Sequence, residues 1–522
     1  MNKKPAMQKE AADNRSRHGL PGMSLPSRRR ACERAVVILS TLALLLFCPI
    51  AARAHVGSPN VFFEGPAGPY PVRVTIAPPG VVPGLAQIHV RVHSGHPQTI
   101  TVLPVRSDAG TKGAPPPDVA KLVPGETNLF TAQLWFMRSG AYSVFVDVSG
   151  PEGHGTAIVP MNALALERLD MSRGMSLLFL GLGLFLVALL VSVIGAAARE
   201  STLEAGAEPT LSRRRFAVGV MGVAVLFVAG ALRFGDRWWN AVDRDFLSSE
   251  LYRSAPITPT LEAETNGTEQ LIVHVGSSNM RRGTGSLVPD HGQLMHLFLI
   301  QQPGNAFAHL HPVHDGELKG IGFRTRLPGL PAGSYQLYAD ITHESGLTET
   351  LTNVLQLAAA TSSPEPTPGL MSEDDAFDLN APQAPAPVQL DGGFRLSPAF
   401  GASFHASEET TLKFDLVTET GEPAPLEPYL GMYGHLMIQN ADGSVFTHLH
   451  PLGSISMVAQ RRFAEREHAT YLANQPLDLL CAPPSRTLAF PYAFPKPGRY
   501  RLWLQVKLDG KVRTTGFSVT VD

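Results

Sequence analysis

Cysteine is scarce, with three residues in a chain of 522. Cys32 and Cys48 fall in an N-terminal segment read below as a leader, and Cys481 stands alone in the remainder. No intramolecular disulfide can staple that remainder, so its stability must come from packed cores. Charge is also sparse and balanced, at 17% acidic and basic residues with a net charge of -2. Nothing in that balance favours nucleic acid as a partner. The chain has no glycine-rich phosphate loop, no CxxCH haem-attachment motif and no nucleophile elbow. What it does have is 48 Gly and 44 Pro interleaved with short Val, Ile, Leu and Tyr runs. That pattern favours strands and turns over helical bundles.

The first residues read as an export segment. The basic stretch SRRRACER precedes the apolar run AVVILSTLALLLFCPIAA, and ARA supplies small residues at a cleavage position. Residues 1–54 are therefore expected to be a signal peptide or N-terminal anchor, and cleavage after Ala54 would make His55 the first residue. Two further apolar segments, 175–198 and 216–232, are long enough to span a bilayer. Arg199, Arg213, Arg214 and Arg215 lie in the loop between them, 199–215, and place it in the cytoplasm by the positive-inside rule. The flanking regions then face outward, giving a cell inner-membrane protein with periplasmic β domains. All of the 18 histidines except His18 fall in those outward segments.

Residues 55–165 read as a small β-sandwich, with VRVTIAP, AQIHVRVH, TITVLPV, LFTAQLWF and AYSVFVDVSG as strands. A second β-unit spans 258–358, a Pro/Ala/Ser/acid-rich linker spans 359–387, and a third unit spans 388–522. The second and third are internal repeats. An offset of 139 aligns Pro289 with Pro428, Gly292 with Gly431 and His296 with His435, and superposes the two HLHP segments. Further on, GSYQLYADI aligns with GRYRLWLQV at an offset of 165, so the third unit carries a 26-residue insertion between 454 and 486. The expected fold is mainly β: three immunoglobulin- or cupredoxin-like sandwiches, two transmembrane helices and a leader.

The repeats share one chemical feature. HLFLIQQPGNAFAHLHP at 296–312 and HLMIQNADGSVFTHLHP at 435–451 each run from His-Leu to His-Leu-His-Pro. The flanks are strand-like and NADG is a turn sequence. A hairpin pairing Gln439 with Ser444 sets His435 opposite His448, with His450 two residues on and on the same face. The same construction pairs His296 with His309 and brings His311 beside them. Facing Cβ atoms lie roughly 4.5–5.5 Å apart, close enough for three imidazoles to meet at one ion. The opposite face, with Leu436, Ile438, Val445 and Leu449, or Leu297, Leu299, Ala306 and Leu310, belongs to the core. The alternative is a merely structural hairpin with half-exposed histidines, preserved by the duplication. Three neutral imidazoles suit copper or zinc, and the affinity order favours copper.

Further candidates are weaker. His291 is placed as a fourth ligand for the first repeat, where the second has Leu430. Met437 shares the histidine face of the second repeat, as a thioether ligand or a core residue, where the first has Phe298. His89 and His93 share a strand face in the first domain, with His96 after a turn. His55, if it became the N-terminus, could chelate copper through its amine and imidazole. His314 and His343 read as loop or surface residues.

The first domain, through GPYPVRVTIAPPGVVPGLAQIHVRV and SGAYSVFVDVSGPEGHGTAIVPM, resembles the FixH/YtkA-like extracytoplasmic β-modules over about residues 55–200. That resemblance implies an immunoglobulin- or cupredoxin-like sandwich of a kind associated with copper handling and oxidase assembly. The repeats resemble uncharacterised secreted modules described as heavy-metal binding. The expected function is a membrane-anchored metal-binding protein that buffers or passes copper, with a respiratory oxidase or metal transporter as partner. The competing expectation is a metal-free β-sandwich protein that docks such a complex. A metalloenzyme is less favoured, because no Glu or Asp stands in an evident general-base relation to the histidines in sequence.

Overall fold

The computed structural model describes residues 60–204, 206–263, 269–277, 285–318, 320–358, 372–467 and 486–522. The expected leader, His55 and all three cysteines lie outside these residues, as does part of the expected linker. The description below concerns the unit His55–Asp522.

The chain is mainly β, and its described residues form six sheets that are antiparallel except for one short parallel pair, Ser403–Phe404 against Lys511–Val521. The sheets pair across three cores. In the first, Val61–Ala67, Tyr70–Ala77, Gly84–Val92, Leu129–Phe136 and Lys121–Leu122 face a four-stranded sheet centred on Thr99–Arg106 and Gly140–Gly150. Gly84–Val92 shows why: its even-numbered residues are buried and its odd-numbered ones less so, the period-two pattern of a half-buried strand. Each expected strand of this domain is present, together with Val61–Ala67 and Gly153–Ala163.

Each repeat builds two sheets around its own core. In the first repeat, His296–Gln301 lies between Phe307–Leu310 and Gly333–His343; in the second, His435–Asn440 lies between Phe446–Leu449 and Gly498–Leu508. Leu297, Leu299, Ala306 and Leu310 enter one core and Leu436, Ile438, Val445 and Leu449 the other, as the apolar alternation requires. The expected linker is not structureless. Its described part contains Ala376–Asp378, which pairs with Phe307–Leu310 and covers that sheet edge.

The register differs from the sequence reading by two residues. Met437 pairs with His448 and Leu436 with Leu449, so His435 stands opposite position 450, not 448. The first hairpin makes the same shift, pairing Phe298 with His309. The cause is a four-residue loop: Asn440 N bonds Val445 O at 3.1 Å, while Asn440 Oδ1 accepts from Val445 N. A shift of two preserves side-chain parity, so the histidines keep their shared face.

Among the described residues, two helices are long and apolar enough to cross a membrane: α1, Arg173–Glu200, and α2, Leu211–Asp245, which a π-turn extends to Glu250. Ser172 and Thr210 cap them by accepting from Met175 N and Arg213 N. The second is much longer than its apolar run at 216–232. Beyond Leu232 the sequence turns polar, yet helix-compatible residues and an Arg233–Asp236 pair at 3.0 Å carry it on. Hydropathy marks the stretch suited to lipid, not the end of backbone hydrogen bonding. A third helix, α3, Met457–Arg466, lies in the 26-residue insertion.

Candidate metal centre

The two repeats pack with their histidine faces toward one another. Around the histidines they are joined by an aromatic cluster of Phe298, Ile300, Phe307, Tyr338, Met437, Phe446 and Trp503. Phe307 stacks on Trp503 at 4.8 Å and Phe446 on Tyr338 at 4.2 Å. These are the same contact made twice, since Phe446 corresponds to Phe307 at the 139 offset and Trp503 to Tyr338 at the 165 offset. Both strand faces in each hairpin are therefore buried, one in its own core and one in the shared interface.

Within this interface two clusters form. His296, His309 and His311 make cluster one; His435, His448 and His450 make cluster two. In each, one ring nitrogen per histidine lies within 4.8 Å of the others. His296 Nδ1 and His309 Nε2 are 3.2 Å apart, and His435 Nδ1 and His448 Nε2 2.9 Å. Two nitrogens bound tetrahedrally to one ion at about 2.0–2.1 Å would be separated by about 3.3 Å. The inward nitrogens are thus near the spacing an ion requires.

Most of the outward nitrogens are held by acceptors. His296 Nε2 lies 3.2 Å from Asp290 O, and His435 Nε2 lies 2.9 Å from Tyr429 O, its counterpart at the 139 offset. His309 Nδ1 donates to Gln505 Oε1 at 2.8 Å, and His311 Nδ1 to Asp375 Oδ1 at 2.9 Å. Asp375 Oδ1 also accepts from His311 N at 2.8 Å. His448 Nδ1 lies 3.6 Å from Asp340 Oδ2. This is how proteins fix ligand tautomers: the outer N–H is tied down and the inner lone pair is aimed at the metal. His311 Nε2, and both ring nitrogens of His450 and of His291, are buried without a hydrogen-bond partner among the described residues. Buried polar atoms left unpaired call for a partner, and a bound ion would supply one.

Burial, followed by the neighbouring imidazoles, holds His296, His309, His448 and His450 well below the ordinary histidine range; His435 is likewise lowered, first by burial and then by His291. They are neutral near pH 7, the form that binds metals. Desolvation pushes Asp340 the other way, up to about 7.

A cavity of about 320 Å³ leads to this region, lined among others by His291, His296, Asp340, His448 and His450. Asn60, Pro79 and Pro160 of the first domain complete its wall. That domain is fixed to the second repeat just beyond HLHP, where Glu64 N bonds Leu452 O and Ser454 N bonds Phe62 O, both at 2.9 Å. Helix α3 adds Gln460 Nε2 donating to Ile158 O at 2.7 Å.

The remaining candidates are placed differently from their sequence readings. His291, expected beside cluster one, lies nearer cluster two: its ring centroid is 4.5 Å from that of His450 and 5.9 Å from that of His296. Met437 is fully buried in the aromatic interface. His93 pairs with Glu64 at 2.5 Å and His96 with Glu152 at 2.8 Å, while His89 sits across from Thr75 and Thr131. Only the two repeat clusters form ligand groups of three or more among the described residues. His343 is not a loop residue; it ends a strand and bonds Glu349 Oε2 at 2.8 Å. Sequence reasoning missed Asp290, Asp340, Asp375 and Gln505, and with them the acids it found lacking. Asp375 had a faint sign, the EDD run inside an otherwise bland linker.

A family model described as a domain of unknown function (DUF8832) matches residues 256–358 and 389–522, the two repeats. No curated protein matches the chain. Similar solved structures include one concerning host cell surface retention of a bacterial ice-binding adhesin, 9% identical, covering 84% of this chain and 91% of that one at a TM-score of 0.14. Another is dimeric latent PorU from Porphyromonas gingivalis, 7% identical, covering 89% and 34% at a TM-score of 0.15. A third is a Salmonella alpha-2-macroglobulin reacted with methylamine, 8% identical, covering 90% and 24% at 0.16.

Proposed function

We propose that this is a membrane-anchored, extracytoplasmic metal-binding protein that buffers or delivers copper, with zinc as the alternative ion. The observation that carries the reading is the pair of buried three-histidine clusters whose inner nitrogens converge while their outer nitrogens mostly meet acceptors. Copper is preferred because imidazole sites bind Cu²⁺ above Zn²⁺ in the general affinity order. Each two-sheet unit is read as an immunoglobulin- or cupredoxin-like sandwich, the first of the FixH/YtkA-like type. The two apolar helices anchor them, with the arginine-bearing loop on the cytoplasmic side. Trp238 and Trp239, exposed near the end of α2, and Arg168 paired with Asp243 at 2.8 Å suit a lipid–water boundary on the other side.

Elemental analysis of protein purified from its native membrane tests this. About two ions per chain are expected, falling by one in H296A/H309A/H311A and by one in H435A/H448A/H450A. Unchanged stoichiometry in both variants would remove the metal reading.

One observation favours a second reading, a docking protein for an oxidase or transporter. Leu85 and Trp135 are cross-strand partners on the first domain, and both are exposed beside Met137. Under that reading W135A would lose a co-purifying membrane complex while keeping its metal content.

A further inference from the structure

The orienting groups of the clusters cross between the repeats. His309 belongs to the first repeat, yet the oxygen that holds its outer nitrogen is on Gln505 of the second. Gln505 Nε2 donates to Thr514 Oγ1 at 3.0 Å, which turns Oε1 toward the imidazole. His448 belongs to the second repeat, and the carboxylate facing its outer nitrogen is on Asp340 of the first. Asp340 Oδ1 accepts from Thr350 Oγ1 at 2.6 Å, which leaves Oδ2 toward His448. Asp340 and Gln505 are counterparts at the 165 offset, and each is hydrogen-bonded to the threonine directly across from it on the neighbouring strand, Thr350 as donor and Thr514 as acceptor. One arrangement has thus been built twice with its halves exchanged. His291 crosses in the same direction as Asp340, reaching His450 of the other repeat.

We propose that the repeats form one two-site unit in which each metal cluster is completed by the opposite repeat: Gln505 is the positioning residue of cluster one, and Asp340, with His291 beside it, that of cluster two. This rests on the metal reading above and adds to it that neither repeat alone carries a finished site. Asp340 and Gln505 also sit directly across from His296 and His435 of their own repeats, so a merely local role predicts the opposite assignment. The distances decide between them. Gln505 bonds His309 at 2.8 Å, and Asp340 lies 3.6 Å from His448 with no bond to His296 among the described residues.

The test uses the full chain in detergent, titrated with Zn²⁺, and separately with Cu⁺, against a competing chelator. Cluster-deleted backgrounds, H309A/H311A and H448A/H450A, isolate each site. Loss of a partner that orients a ligating histidine typically costs 10–100-fold in affinity. D340A is expected to weaken cluster two by about that much and cluster one at least tenfold less; Q505A is expected to do the reverse. The near-isosteric D340N and Q505E keep the fold if the alanines do not. Because a carboxylate makes its imidazole a stronger ligand than an amide does, D340N should loosen cluster two and Q505E tighten cluster one. Losses confined to the cluster of the mutated residue's own repeat, or equal at both, would overturn the crossing. Wild-type protein that binds neither ion overturns it together with the metal reading, whereas binding with the wrong mutant pattern leaves that reading standing.

Discussion

Clusters one and two descend from the same hairpin but are closed in different ways. Cluster one is sealed by its own downstream chain, where Ala376–Asp378 adds a strand and Asp375 binds His311 through both its ring and its backbone nitrogen. Among the described residues cluster two has no such strand. After His450 the chain turns back at Gly453 and joins Phe62 and Glu64 of the first domain, leaving His448 and His450 on the wall of the cavity, to which cluster one contributes His296 alone. The outer nitrogens of cluster one each have an acceptor, whereas His450 has none. The two copies thus differ in how fully their ligand positions are fixed and in how many of them line the cavity, one histidine of cluster one against two of cluster two.

Acid should have the largest effect, and it strikes both clusters. Five imidazoles are held below the histidine range in the folded protein, while unfolded each takes a proton near pH 6.5. Above pH 6.5 folded and unfolded states agree and stability is flat on their account. As the pH falls below 6.5 the unfolded state binds more protons than the folded one, so stability drops on account of each. Asp340, pushed up to about 7, opposes this. Between about pH 4 and 7 the folded state keeps a proton there that the unfolded carboxyl releases, which offsets roughly one histidine. Thermal melts of metal-free protein should fall steeply from pH 6.5 to 5. Added Zn²⁺ at 1,000 times its Kd should restore about 4 kcal/mol per site at neutral pH. A flat profile would mean that the imidazoles are already protonated or exposed.

Asp375 offers a sharper cut, because it serves cluster one alone. Asp375→Ala strands the buried Nδ1 and backbone N of His311, and leaving such donors unpaired costs about 1–3 kcal/mol each. Chemical denaturation should show a total loss of about 2–6 kcal/mol. Titration should show weaker metal binding in the H448A/H450A background and unchanged binding in the H309A/H311A background. Equal weakening of both sites would erase the distinction between them.

How much of this was legible follows from sequence distance. The duplicated HLHP hairpins, their apolar faces and the insertion could be read because each depends on neighbours in the chain and on period-two alternation. The register was misread by two because NADG looks like a two-residue turn, while the Asn440 side chain in fact closes a longer loop. Parity protected the shared histidine face from that error. The facing of one cluster toward the other was not legible, since it depends on the Phe307–Trp503 and Phe446–Tyr338 stacks between segments far apart in the chain. Asp375, Asp340 and Gln505 were missed for the same reason. An acceptor brought in by tertiary packing leaves no spacing to recognise.

His291 marks the asymmetry at a single position. It adopts φ 51, and so does its counterpart Leu430, so the backbone tolerates a leucine in this left-handed conformation. His291→Leu removes two buried nitrogens that lack hydrogen-bond partners. The metal-free protein should gain on the order of 1 kcal/mol, while cluster two loses affinity and cluster one does not. Denaturation of metal-free protein and titration in the two deleted backgrounds read these separately. A loss at cluster one would return His291 to the repeat that encodes it.

The smallest effect is expected at Met437, where the two hairpins differ by a methionine against Phe298. Met437 is cross-strand from His448, which invites a thioether ligand for Cu⁺, but its side chain is packed among Phe298, Phe446 and Trp503. A ligand must present its sulfur to the ion, and a packing residue need only fill volume. Methionine and leucine differ little in volume, so Met437→Leu should cost less than about 1.5 kcal/mol by denaturation. Its Cu⁺ and Zn²⁺ affinities at cluster two should both stay near wild type. A selective fall in Cu⁺ affinity would instead make the sulfur a fourth donor, and cluster two would then differ from cluster one in the metal it prefers as well as in its access to solvent.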